Sequence, residues 1–288
     1  MEPRTHSSSP DRYGGPVVVA VGDAETHDPS LQHACAEARR TGRPLHLVHV
    51  LTQRPTTAAE RLLHDVAGQV HALVHGSLRV ETVIRTGQVV PVLNELSRDA
   101  GLVVLQRRQL SRLQRLVSGS VSAQVAGQAH APTVSVPEGW QPRGGGRPHV
   151  TVGLDGADDD EGTRLLRHAF ARAAELEAEL TVVHGWQLPS GYDDAIVDET
   201  AVDDWRTRYL QVLHRRLVPL TETHPTVTAA VEIRHLHPAD ALIQAAKDSD
   251  LVVLGRGRLE HPLVSHLGSV ARAVIRDAAC PVEVVNDH

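Results

Sequence analysis

Glycines, a carboxylate and a serine stand at spacings typical of an anion-binding site in the second half of the chain. Gly255 and Gly257 follow a short apolar run, and Gly268-Ser269 opens a segment with helical periodicity. The unpaired N–H groups at a helix N-terminus attract phosphate, and glycines let the backbone approach a ligand closely. Asp155, which follows another apolar run, can accept hydrogen bonds from a ribose hydroxyl. This spacing indicates a nucleotide site, although an ordinary strand–helix connection with a serine cap has the same residues.

An alternating series of strands and helices must position these residues. In the second half, strands are predicted at His149–Leu154, Leu180–His184, Val227–His235, Leu251–Leu254 and Val282–Val285, and helices at Gly162–Glu177, Thr200–Leu220, Ala239–Asp248 and Ser269–Asp277. Strands that alternate with helices pair in parallel and carry helices on both faces of the sheet. Ligands bind beyond the carboxyl ends of such strands, at the point where the strand order reverses. We therefore expect Asp155 to lie next to Gly255.

The chain contains the same unit twice. Residues 87–136 align with residues 236–285 at a constant shift of 149 and without a gap. The matches include Leu102 with Leu251, Arg107 with Arg256, Gly119 with Gly268, Ser120 with Ser269 and Pro132 with Pro281. Since the matches fall in strands, turns and helices alike, they indicate a duplicated domain.

Three consecutive glycines, Gly144 to Gly146, lie between the two copies and predict a flexible connector. The predicted organisation is a disordered tail over residues 1–14, a first domain over 15–138, a linker over 139–148 and a second domain over 149–288. The tail has serines and prolines but no apolar stretch, so we do not expect a signal peptide.

The composition is typical of a soluble cytoplasmic protein. Hydrophobic residues make up 41% of the 288 residues and charged residues 22%, and no run approaches the ~18 apolar residues of a membrane span. The net charge of -6 and an aromatic content of 2% argue against nucleic acid as a partner. Cys35 and Cys280 are isolated, which fits a reducing compartment.

The chain resembles the universal stress protein family, once per copy. The resemblance rests on Asp155-Gly156 after the first strand, His184 at the end of the second, and Gly268-Ser269-Val270 before Pro281-Val282. It implies that each copy is a Rossmann-like α/β domain with a five-stranded parallel sheet in the order 3-2-1-4-5 and helices on both faces. It also implies a non-catalytic stress-response module, many members of which bind ATP.

The resemblance places a nucleotide site in the second copy. The family motif, Gly-x-x-Gly, nine residues and Gly-Ser, maps onto Gly255, position 258, Gly268 and Ser269, while the base-contacting position maps onto Gly185. Position 258 is Arg258, which either reaches a phosphate or fills the space that a phosphate needs. The predicted ligand-binding residues are Asp155, Gly185, Leu254, Gly255, Gly257, Arg258, Gly268, Ser269 and Val270.

The first copy departs further from the motif. Gln106 and Gln109 stand at the two motif glycines, and Gly22 stands at the acidic position, with Asp23 one residue late. Side chains then lie where the motif requires bare backbone. We expect a degenerate site in the first copy, so that any adenine nucleotide binds in the second.

The sequence lacks familiar catalytic motifs. Its single lysine, Lys247, lies outside any P-loop pattern, and no Gly-x-Ser-x-Gly precedes a helix. We predict that the protein is not an enzyme. We also predict no metal, because the pair His71 and His75 has no third ligand. Two alternatives stay open: a protein-interaction scaffold with vestigial pockets, and a slow nucleotide hydrolase.

The last strand of each copy ends its domain as an apolar edge. These strands, Thr133–Val136 and Val282–Val285, invite pairing because an exposed edge carries unpaired N–H and C=O groups. The resemblance implies that they pair antiparallel about a pseudo-twofold axis. The chain is then an internal dimer, which is compatible with further association into a homodimer.

Overall fold

The computed structural model of the chain describes residues 14–22, 28–52, 57–74, 76, 78–107, 120–155, 160–187, 199–257 and 267–286, without the side chains of residues 199–205 and 208. The first half contains strands β1 (Val17–Ala20), β2 (Leu45–Leu51), β3 (Val80–Thr86), β4 (Leu102–Arg107) and β5 (Thr133–Pro137), and helices α1 (Pro29–Thr41), α2 (Thr57–Val74), α3 (Val89–Leu96) and α4 (Val121–Gln128). The second half contains strands β6 (His149–Gly153), β7 (Glu179–Trp186), β8 (Ala229–His235), β9 (Leu251–Gly255) and β10 (Val282–Val285), and helices α5 (Asp160–Glu175), α6 (Glu199–Thr223), α7 (Pro238–Ala245) and α8 (Ser269–Asp277).

Local sequence accounts for the ends of the helices that cover the sheet centre. The Asp28 carboxylate accepts from the Ser30 N–H at 2.8 Å and so caps the start of α1, and Gly42, with a φ of 67°, caps its end. Helix α5 ends at Glu175, two residues before the predicted end, because Glu177 adopts a left-handed φ of 51°. Such a conformation terminates a helix and is uncommon outside glycine.

Each half forms the predicted parallel sheet, and the two sheets are continuous. The strand order is β3-β2-β1-β4-β5-β10-β9-β6-β7-β8, which is 3-2-1-4-5 in each half when it is read from its outermost strand toward the centre of the sheet. Strands β5 and β10 pair antiparallel, with Val282 opposite Ser135, Glu283 opposite Val134 and Val284 opposite Thr133. This register is symmetric about the pair of Glu283 and Val134, so the pseudo-twofold axis passes through that pair.

Alternate strand residues build a separate core on each face of the sheet. In the first half, Val17 and Val19 pack with α1 and α2, whereas Val18 packs with Leu93 of α3 and Val125 of α4. The second half repeats this arrangement with α5 and α6 on one face and α7 and α8 on the other. Because both faces are covered, ligands can reach the backbone only at the strand ends. Within the described residues, no helix has the length and apolar character needed to cross a membrane.

Candidate functional site

A cavity of about 310 Å³ opens at the carboxyl ends of β6, β7 and β9 in the second half. This volume is at the lower end of the range of roughly 300–1,000 Å³ that is usual for small-molecule sites. The predicted ligand-binding residues that line it are Asp155, Gly185, Leu254, Gly255, Gly257, Gly268, Ser269 and Val270. Arg258, the remaining predicted residue, lies outside the described residues, as does Gly156. The structure thus brings together residues that are separated by more than 100 positions in sequence.

Two glycines let the segment after β9 pass directly over the start of α8. Gly257 has a φ of 79°, and a Cβ atom there would lie 3.6 Å from the Gly268 Cα. The Gly268 N–H donates to the Arg256 carbonyl at 2.8 Å. A Cβ atom on Gly268 would lie 3.1 Å from that same carbonyl oxygen, closer than side chains normally approach backbone. A side chain would therefore disfavour this crossing at both positions, at Gly257 through its positive φ and at Gly268 through a tight contact with backbone.

Helix α8 presents its free N–H groups to the cavity. Its first intrahelical hydrogen bond runs from the Arg272 N–H to the Gly268 carbonyl at 3.1 Å. The N–H groups of Ser269, Val270 and Ala271 precede it and so have no acceptor within the helix. Gly268 is the N-cap, and Ser269, predicted at or near that position, is the first helical residue. All three N–H groups belong to residues that line the cavity, at the positive end of the helix dipole.

Gly185 lines the cavity from within β7. The sequence placed it just after the second strand, whereas it lies inside β7 and pairs with Arg234 of β8. A Cβ atom at this position would lie 2.7 Å from the Pro238 Cα and 3.0 Å from the Ala241 Cβ. Gly185 therefore lets α7 pack closely on β7 and form one wall of the cavity.

Two aromatic side chains hold the turn that carries Asp155. The His184 Nδ1 lies 3.0 Å from the Leu154 carbonyl, and because a carbonyl only accepts, Nδ1 carries the hydrogen. Burial lowers the pKa of His184, so the ring is neutral near pH 7. The Tyr209 ring packs on it with a centroid separation of 4.2 Å, and its hydroxyl donates to the Asp155 carbonyl at 3.5 Å. The first half repeats the histidine contact, from His49 Nδ1 to the Val21 carbonyl at 2.8 Å.

Sequence reasoning missed Glu161, a second carboxylate in the cavity. Glu161 lies in the first turn of α5, and its Oε1 atom is 3.4 Å from the position of a Cβ built on Gly255. The only sequence signal was the acidic run that ends at Glu161. Among the described lining residues, Asp155 and Glu161 are the charged ones, and the apolar lining includes Leu165, Val183 and Leu242.

The arginine beside the glycines points away from the cavity. Arg256 donates to the Ala129 carbonyl of the first half and, from Nε, to Asn286 Oδ1 at 2.7 Å. In the first half, Gln106 lies in β4 opposite Val136, and Ser120 is the N-cap of α4. Gln109, Gly119 and Asp23, which complete the predicted degenerate site, lie outside the described residues.

Potential metal ligands and both cysteine thiols lie in the part of the chain that the structure describes. Within it, no three His, Cys, Asp or Glu side chains come together as metal ligands. Cys35 and Cys280 are both buried. Burial raises the pKa of the Cys35 thiol to about 11 and that of Cys280 to about 12, so both thiols are protonated and unreactive at neutral pH.

Comparison with known sequences relates both halves to one family. Residues 15–137 and 146–286 match the model of the Universal stress protein family. Universal stress protein Rv2623 of Mycobacterium tuberculosis (strain ATCC 25618 / H37Rv) is 28% identical over 297 residues, or 94% of this chain and 96% of the relative. Universal stress protein Rv1996 of the same strain is 32% identical over 204 residues, or 69% of this chain. The chain spans only 62% of the length of Rv1996.

Comparison with solved structures supports the same fold. A universal stress protein from Archaeoglobus fulgidus DSM 4304 superposes with a TM-score of 0.67 at 17% identity, covering 95% of this chain and 97% of the other. A functionally unknown protein, PA1789 from Pseudomonas aeruginosa PAO1, superposes with a TM-score of 0.69 at 18% identity, covering 96% of this chain and 93% of the other. At these identities the likeness concerns the fold.

Proposed function

Because this chain belongs to the universal stress protein family, with one family domain in each half, we propose that it is a cytoplasmic, non-catalytic stress-response module that binds ATP in its second half. The observation that carries the proposal is the meeting of the α8 N-terminus, the glycine crossing and Asp155 around one cavity. Helix N-termini and glycine-rich crossings are recurrent phosphate-binding features, and a carboxylate at a strand end commonly accepts from ribose.

Each part of the cavity suits a different part of the nucleotide. The N–H groups of Ser269, Val270 and Ala271 would donate to the phosphates, and Gly257 and Gly268 themselves place no side chain at the crossing. Asp155 would accept from the ribose hydroxyls. The apolar walls, which include Val183 and Leu242, would contact the adenine base. Hydrogen bonds to anionic phosphate oxygens are among the stronger ones that a backbone N–H makes.

Glu161 favours a second candidate, a protein-interaction scaffold whose cavity no longer admits nucleotide. Its carboxylate lies beside Gly255, near the region proposed for the phosphates, and like charges within a few ångströms repel. A cation that accompanies the phosphates, or Arg258, would have to offset this repulsion for ATP to bind. Binding of ATP therefore separates the two candidates.

Calorimetric titration of the unaltered protein with ATP tests the proposal directly. We expect binding at micromolar to millimolar ATP, and carry-over of adenine nucleotide in native mass spectra of protein purified without added nucleotide. Replacing Gly268 with leucine should weaken binding by at least about tenfold, since the side chain would enter the crossing; tenfold corresponds to about 1.4 kcal/mol. The same replacement at Gly119, the matched position of the first half, should leave binding unchanged.

Three results would redirect the assignment. Absence of binding at millimolar ATP, restored by Glu161→Gln, would support the scaffold with a closed cavity. Loss of binding from Gly119→Leu alone would move the site to the first half. Release of inorganic phosphate above the spontaneous rate, abolished by Gly268→Leu, would instead support the slow nucleotide hydrolase.

A further inference from the structure

Helices α1 and α5 are equivalent elements that flank the pseudo-twofold axis. The Arg43 N–H donates to the Ala38 carbonyl at the end of α1, and the Ala178 N–H donates to the Ala173 carbonyl at the end of α5. These matching bonds relate the two helices by a shift of 135 positions. The same shift superimposes buried positions of the two helices, namely Leu31 on Leu166, Ala34 on Ala169 and Ala38 on Ala173.

The charged positions of the two helices match in place but are opposite in sign. Under the same shift, Glu37 of α1 corresponds to Arg172 of α5, and Arg40 corresponds to Glu175. A duplicated domain would be expected to carry like residues at equivalent positions. Here the charge pattern is inverted where the two halves meet.

These charges contact each other across the halves. Arg172 Nη2 lies 2.8 Å from Glu37 Oε1, and Arg40 Nη1 lies 2.8 Å from Glu175 Oε2. Arg172 and Glu37 are 6% and 4% exposed, so their charges have little access to water. A buried ion is stable only when a partner of opposite charge and hydrogen bonds replace its hydration.

The strand pair on the axis carries a third asymmetric charge. Glu283 of β10 is 1% exposed and lies opposite Val134 of β5. It accepts from Arg172 Nε at 2.9 Å and lies 2.6 Å from His168 Nε2. In a symmetric pair of two second halves, this register would place two buried Glu283 carboxylates opposite each other.

A second set of contacts between the halves is reciprocal, and so it does not favour pairing of unlike halves over pairing of like halves. Arg107 of the first half donates to the Ala278 carbonyl at 2.9 Å, and Arg256 of the second half donates to the Ala129 carbonyl. Arginine and acceptor carbonyl are present at equivalent positions in both halves. These bonds would therefore form equally well between like halves.

We propose that the charges of Glu37, Arg40, Arg172, Glu175 and Glu283 make the interface selective for unlike halves. The face formed by α1 and β5 accepts the face formed by α5 and β10 and rejects a copy of itself. Pairing of two first halves would set Glu37 against Glu37, and pairing of two second halves would set Arg172 against Arg172. Each central edge strand therefore pairs with the other half of a chain. Glu37 keeps Arg40 of its own helix, and Arg172 keeps Glu175 and Glu283 of its own half. A like half is disfavoured because it would bring buried charges of the same sign together and remove the partner that the other half supplies.

An exchange of charges between the halves tests this proposal in the full chain. The first variant gives the first half the residues of the second: Glu37→Arg, Arg40→Glu and Val134→Glu. The second variant does the reverse: Arg172→Glu, Glu175→Arg and Glu283→Val. The third combines all six changes and so regenerates the charge set on the other side of the axis. As a control, Arg79 and Glu81, an exposed ion pair at the outer strand β3, are exchanged with each other.

The readout is the urea midpoint of unfolding, with the soluble yield for any variant that does not fold. We expect each three-residue variant to lose most of its stability or its soluble yield. The six-residue variant should be soluble and have a higher midpoint than either, and the control should match the unaltered protein. The proposal would be overturned if the six-residue variant were no more stable than the three-residue variants, or if it were insoluble while the control is soluble. Either result would show that restoring opposite charges across the axis does not restore the interface.

Discussion

Gly257 shows how one backbone conformation supports the cavity. Its φ of 79° is strained for any residue with a Cβ atom, by roughly 1–2 kcal/mol. We expect Gly257→Ala to lower the free energy of unfolding by about 1 kcal/mol and to weaken ATP binding, because relief of the strained φ would move the segment that crosses Gly268. Gly146 in the linker is the matched control, with a φ of 89° and no atom within 4 Å of a built Cβ. Gly146→Ala should lose similar stability in urea titrations and keep full binding.

His184, which holds the turn at the cavity, makes the stability of the fold depend on pH. Burial lowers its pKa below the ordinary value of 6.5, so the unfolded chain takes up a proton at a higher pH than the folded chain. Stability contributed by the neutral ring is therefore present above about pH 6.5 and lost as the pH falls toward the folded-state pKa. We expect His184→Gln to reduce the dependence of stability on pH between 7 and 5. His33, whose pKa burial also lowers, should retain part of that dependence.

The test for His184 is a set of urea titrations at half-unit pH intervals. Glutamine is neutral throughout this range and can still donate to the Leu154 carbonyl, which keeps the turn of Asp155 in place. An unchanged slope in the His184→Gln variant would mean that the ring is not a source of the pH dependence.

At the scale of elements, the C-terminal ends of α4 and α8 are stabilised from the opposite half. Arg107 donates to the Ile275 and Ala278 carbonyls at 2.6 and 2.9 Å, at the negative end of α8. Arg256 reaches the Ala129 carbonyl at the equivalent end of α4. A charged donor at this end satisfies carbonyls that have no partner within the helix.

We expect Arg107→Ala and Arg256→Ala each to lower the free energy of unfolding by about 1.5–3 kcal/mol, the range for hydrogen bonds to charged groups. Urea titration measures both effects. Arg276→Ala serves as the control, since that side chain is exposed and pairs with its neighbour Asp277 on the same helix. Equal effects of all three replacements would show that the arginine contacts between the halves do not contribute to the free energy of unfolding.

At the scale of the whole molecule, the continuous sheet predicts that the two halves unfold together. Strand pairing of β5 with β10, the reciprocal arginines and the buried charges all cross the boundary. Two tryptophans report on the two halves: the Trp140 ring lies 5.7 Å from that of His33, and the Trp186 ring stacks on His235 at 4.2 Å. Two reporter proteins each keep one of these tryptophans. In both of them Trp205, the third tryptophan of the chain, is replaced by phenylalanine so that it does not contribute to the fluorescence.

Chains that retain only Trp140 or only Trp186 should therefore give the same urea midpoint by fluorescence, as a two-state transition requires. The Arg107→Ala change should shift both midpoints by the same amount. Two midpoints that differ beyond error in the unaltered background would show that the halves unfold independently.

Much of the architecture follows from local sequence. The alternation of apolar runs with helical periodicity predicted the parallel sheets, and the shift of 149 predicted that the fold occurs twice. The positions of Gly255, Gly257, Gly268 and Ser269 also followed, because glycine and helix-start signals act over a few residues. In the second half, α8 and β10 have the bounds that the sequence predicted.

Other features depended on contacts between distant segments. Glu161 enters the cavity because α5 crosses the end of β9, and Gly185 lies within β7 because pairing with β8 extends to His235. Arg256 points to the other half only because the two sheets join. The inverted charges of Glu37 and Arg172 gained meaning only when folding placed them 2.8 Å apart, although 135 residues separate them. Periodicity and turn chemistry depend on residues that are near in sequence. The partner of a buried charge is instead decided by tertiary packing, because the free energy of the charge depends on the ions and hydrogen-bonding groups that replace its hydration.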